Sequence, residues 1–78
     1  MTDKIKIGLT KDEAIVLFEF LVRFNKKDHD DLFDDQAEQR VLWDIECILE
    51  KELAEPFRSD YLDNVKRARD AVRDKKEK

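Results

Sequence analysis

The stretch AIVLFEFLVRF (residues 14–24) decides the fold, because only Glu19 and Arg23 in it are polar. Thr10 precedes it and Glu13 follows three residues later, the spacing at which hydroxyl and carboxylate satisfy the backbone N–H groups that a helix start leaves free. A first helix over 11–25 follows. At about 100° per residue, Ala14, Leu17, Phe18, Leu21 and Val22 form its core face, and Val16, Phe20 and Phe24 form a second apolar stripe. Only a narrow strip through Asp12, Glu19 and Arg23 is left for water.

Outward from this helix the chain changes character. Residues 3–9 alternate, with Ile5, Ile7 and Leu9 on one side and Lys4 and Lys6 on the other, so an extended arm over 1–9 is expected. One strand is no sheet, and the arm must lie along the helices or pair with the same segment of another chain. The segment KKDHDDLFDD (residues 26–35) lacks a helical apolar period and reads as a loop that Leu32 and Phe33 could pin to the body. Asp34 or Asp35 can cap a second helix over 35–55, whose apolar set is Val41, Leu42, Ile45, Ile48, Leu49 and Leu53. Pro56 disfavours the helical conformation at Glu55 and stops it there. Ser59 or Asp60 can cap a third helix over 60–75, with the stripe Tyr61, Leu62, Val65, Ala68 and Val72, and the terminal KKEK is expected to fray. The fold expected is all-α: a single domain over 1–78 in which a helical hairpin carries a third helix, a three-helix bundle with a short extended N-terminal segment.

Composition agrees. In 78 residues one Gly and one Pro leave little turn chemistry for a sandwich or barrel. Leu, Ile, Val and Phe supply 23 residues, enough for folding although 46% of the chain is charged. No long uncharged apolar run exists to span a membrane, and a lone Cys47 cannot close an internal disulfide. A cytoplasmic protein is expected.

The surplus apolar surface is the main functional signal. On the second helix Trp43 and Cys47 lie one turn apart, opposite the main face. Burying one Phe is worth roughly 1.5–3 kcal/mol, so stripes left wet would cost a small domain much of its stability. Three coverings are open: Ile5, Ile7 and Phe57 folding back, a second copy in a two-fold dimer, or a different protein. The leading expectation is a non-enzymatic interaction module that self-associates through Val16, Phe20, Phe24, Trp43 and Cys47.

Charge is segregated. Residues 1–27 hold six basic and four acidic groups, residues 28–60 three and twelve, and residues 61–78 seven and four. The acidic middle, with Asp28, Asp30, Asp31, Asp34, Asp35 and Asp44, would steer a basic protein and repel nucleic acid, so no nucleic-acid partner is expected. It also reads simply as a solvated face suited to a helix N-terminus.

Chemistry finds little support. A calcium-loop frame begun at Asp28 puts Phe33 where Gly is needed and Gln39 where a bidentate Glu belongs. One His and one Cys are too few for a zinc site. A Cys47–His29 dyad would place its thiol mid-helix, where a small buried cysteine is the ordinary case. Gly8 alone makes no phosphate loop. No enzyme, cofactor or metal is expected.

The segments LTKDEAIVLFEFLVRFN (9–25), DQAEQRVLWDIECILEKEL (35–53) and EPF (55–57) together resemble a family of small bacterial proteins of unknown function. The resemblance covers most of the chain and rests on packing and capping residues. It implies a bacterial source and carries no activity. Small acidic helical bacterial proteins also include immunity proteins that neutralise basic toxin nucleases, an analogy of size and charge that gives the alternative reading.

Overall fold

Thr10 and Glu13 close their capping box in both directions. The Thr10 N–H donates to Glu13 Oε1 at 2.9 Å and the Glu13 N–H to Thr10 Oγ1 at 3.0 Å. In the computed structural model, which describes residues 3–74, this box starts helix α1, Lys11–Asn25. A 3-10 turn, Asp30–Leu32, leads to α2, Gln36–Glu52, and a second, Glu55–Phe57, leads to α3, Tyr61–Val72. The chain is an all-α three-helix bundle. Among the described residues there is no strand, and the arm, exposed throughout residues 3–9, has no regular structure. The final KKEK lies outside the described residues.

The first helix is the centre of the bundle. It packs against both α2 and α3, which make little contact with each other. Its Ile15, Phe18 and Leu21 meet Leu49 and Leu53 from the second helix and its end, and Val65 and Ala68 from the third. Ala68 has no exposed surface, so a methyl is all that fits where α3 crosses α1.

The core face of α1 is therefore rotated from the one periodicity suggests. Ile15, placed on neither apolar stripe, is 3% exposed, whereas Leu17 is only half-buried. The cause is α3, which covers the strip that sequence leaves for water. Tyr61 Oη donates to Glu19 Oε1 at 2.8 Å, and Arg23 Nε stands 3.6 Å from Glu19 Oε2. Glu19 is thus a partly buried acceptor and not a solvated charge.

The start of the second helix agrees with expectation, whereas both later helix ends differ from it. Asp35 caps α2 by accepting the Ala37 N–H at 2.7 Å, and Glu38 Oε1 accepts the Asp34 N–H at 2.9 Å. The helix stops at Glu52, ahead of the limit set by Pro56, because Leu53 turns extended to bury its side chain in the core. Pro56 sits instead in the 3-10 turn, near a helix start where its missing N–H costs nothing. Asp60 occupies the cap position of α3 without bonding a backbone N–H; its Oδ1 accepts from Asn64 Nδ2 and Arg58 Nε, each at 3.3 Å. That helix ends at Val72, short of the expected 75.

Several residues assigned to buried stripes are exposed: Val41, Ile48 and Leu62 stand in solvent, as does Leu32 of the loop. Val41 and Ile48 fall on the edge of the α2 face defined by Leu42, Leu49 and Leu53, and α1 is too narrow to cover that edge as well.

Candidate interaction surface

The fold-back reading is the first to meet the structure, and it fails. Ile5 is 87% exposed, Ile7 79% and Phe57 73%, so neither the arm nor Phe57 covers the surplus stripes. Thr10 is extended and tied to Glu13 by the capping box, and of the arm's described residues Leu9 alone reaches the edge of the α1 stripe.

What remains open is a groove of about 440 Å³ between α1 and α3. Val16, Leu17 and Phe20 form its floor, Val72 its α3 wall, and Arg23 and Arg69 its cationic edge. Leu9 and Glu13 stand at the end nearest the arm. Phe20 remains 47% exposed there, although Arg23 lies over its ring at 5.8 Å. Sequence reading did not anticipate the contribution of α3, because Val72 joins Val16 and Phe20 only once the helices are packed.

Phe24 has a different environment. Its ring stacks on His29 with centroids 3.9 Å apart, meets Phe33 edge-on at 6.1 Å and lies 5.5 Å from Phe20. His29 Nε2 is 2.8 Å from the Phe24 carbonyl oxygen, and since a carbonyl only accepts, Nε2 carries the proton. Asn25 Nδ2 donates to Glu46 Oε1 at 2.7 Å, fixing the end of α1 to α2. The aromatic end of the α1 stripe is therefore partly covered by its own loop, with Lys26 and Lys27 bordering a second concavity of about 370 Å³ beside Phe20.

Trp43 and Cys47 line neither concavity. Trp43 is 36% exposed and the Cys47 thiol is exposed, contrary to the buried mid-helix cysteine expected. At about 100° per residue they lie on the other flank of α2 from Val41 and Ile48. The five residues of the expected interface thus fall into groups: Val16 with Phe20, Phe20 with Phe24, and Trp43 with Cys47 apart.

The acidic residues divide likewise. Asp35 is the α2 cap, and Asp44 stands 3.7 Å from Arg40. Asp28, Asp30, Asp31 and Asp34 are exposed, and among the described residues their carboxylates make no hydrogen bond or ion pair. Among the described residues no group of three or more His, Cys, Asp or Glu is placed to hold a metal ion. Nor is any described helix long and apolar enough to cross a membrane.

A polar notch of about 310 Å³ lies on the opposite edge of the α1–α3 contact, lined by Lys11, Asp12, Ile15, Glu55, Asn64 and Arg67. Glu55 Oε2 accepts from Lys11 Nζ at 3.1 Å. Its own backbone N–H, followed by Lys11, holds the Glu55 carboxyl below the ordinary 4.5. A carboxylate so stabilised is a weak base, and the notch reads as a clamp between the start of α1 and the turn before α3.

With this geometry, no protein-family model matches the chain, and the searches of curated proteins and of solved structures find no match either.

Proposed function

We propose that this protein is a non-enzymatic interaction module that self-associates through the outer face of α1. One observation carries the reading: Val16 and Phe20, with Val72, line an open apolar groove that none of the described residues fills. Its edge is polar, through Glu13, Arg23 and Arg69, and an apolar floor within a charged rim is the anatomy of a protein–protein contact. A two-fold dimer is the simplest closed arrangement that covers the same face on both copies.

Light scattering over a dilution series tests this. Phe20→Glu places a charge on the groove floor and is expected to weaken association at least about tenfold, or about 1.4 kcal/mol. Lys66→Glu, on exposed α3 surface outside the groove, is expected to leave it unchanged. Equal association in all three proteins would refute the reading.

A second reading draws on the unengaged acids Asp28, Asp30, Asp31 and Asp34: a docking surface for a basic protein, in the manner of an immunity protein. Such binding would weaken steeply with salt, because exposed charges are screened beyond about 10 Å at 0.1 M. Retention of a basic partner after Asp30, Asp31 and Asp34 are all changed to Lys would exclude it.

A further inference from the structure

We infer that the occupant of the α1–α3 groove is the N-terminal arm of a second copy, exchanged reciprocally. The inference rests on the self-association proposed above and names what it leaves open, the segment that makes the contact.

Two exposed apolar surfaces of one chain match in side-chain spacing. The arm's alternating sequence would put Ile5, Ile7 and Leu9 on one side of an extended segment, and Ile5 and Ile7 are the most exposed large apolar residues described. In an extended segment, alternate side chains repeat every ~6.8 Å. Along a helix, residues four apart repeat every ~6 Å, which is the spacing of Val16 and Phe20. Ile7 and Ile5 of one copy can therefore seat in succession beside Val16 and Phe20 of the other.

Length and charge fit the same register. The groove follows α1 from Glu13 to Arg23, a rise of ~15 Å, and the arm from Leu9 to Ile5 spans ~14 Å. Leu9 lines the near end of the groove, so two copies related by a two-fold axis there would each send an arm along the other. Asp3 would then arrive at the far end, where Arg23 stands, and Lys4 and Lys6 would face water.

The arm's own groove is the less favourable site. To enter it the chain must reverse between Gly8 and Thr10. Thr10 is extended and fixed by the capping box, and Gly8 does not have the positive φ of a glycine turn. A second copy receives the arm without any reversal.

Cross-linking separates the possibilities. In a Cys47→Ala background, one protein carries Ile7→Cys and another Val16→Cys, and the two are mixed and oxidised. A disulfide-linked species of two chains containing both variants is the expected result. In parallel, removing residues 1–8, which leaves the capping box intact, is expected to raise the dimer dissociation constant at least tenfold while helical circular dichroism is kept. A disulfide formed only within a chain carrying both substitutions would place the arm in its own groove and overturn the exchange. Undiminished association without residues 1–8 would overturn the exchange and leave self-association standing. A full-length protein that is a single chain at all concentrations would overturn both.

Discussion

Tyr61 and Glu19 show how far single residues determine this bundle. Glu19 lies within the most apolar helix, and the tyrosine that bonds it is 42 residues away, so no local pattern announces the contact. Ile15 escapes notice for the same reason: it sits between Val22 and Glu19 on the helical wheel, at the border of the polar strip, and only the arrival of α3 makes that side interior. Burial and the neighbouring Glu19 carboxylate both favour the protonated phenol, so the Tyr61 pKa is raised above its ordinary 10.0. The native state keeps a proton that the unfolded chain releases. Stability from this pair is therefore complete below about pH 10 and declines as pH rises beyond it. Tyr61→Phe is expected to lower stability by about 1.5 kcal/mol at neutral pH and to remove that alkaline decline, as urea unfolding at several pH values would show. Leu21, 1% exposed, is the most enclosed large side chain, and Leu21→Ala is expected to cost about 2–5 kcal/mol in the same assay.

At the scale of elements, what was legible in the sequence was whatever is encoded locally. The α1 limits and its capping box were readable because Thr10 and Glu13 need only each other. Thr10→Ala is expected to cost about 1 kcal/mol without altering the fold seen by circular dichroism. The end of α2 was not readable, since Leu53 leaves the helix to reach a core shared with α1 and α3, and Pro56 marks only the latest possible stop. Joining the start of α1 to the turn before α3 falls to Glu55 and Lys11, 3.1 Å apart. Because the Glu55 carboxyl is held below its ordinary pKa, its stabilisation is present above about pH 4.5 and is lost as pH falls through the lower folded value. Glu55→Gln should accordingly destabilise at neutral pH and converge with the parent protein in acid. A gap that persisted below pH 2 would contradict that assignment.

For the whole molecule, the arithmetic of size dominates. Among the described residues seven apolar side chains are buried, while Ile5, Ile7, Ile48, Phe57 and Leu62 remain largely in solvent and Phe20 about half so. The surplus was visible in the sequence because α1 is apolar on nearly every side; its arrangement was not, because Val72 reaches Val16 and Phe20, and Trp43 departs from them, only through helix packing. The charge segregation was equally visible, yet two of the six acids singled out prove to be engaged within α2. The account therefore turns on whether the exposed face of α1 is covered by a second chain. Sedimentation equilibrium from high to low micromolar concentration measures this directly. The prediction is a mass twice the 9.4 kDa of one chain that falls toward it on dilution, with Phe20→Glu shifting the transition to higher concentration. A mass of 9.4 kDa throughout, unchanged by Phe20→Glu, would contradict it.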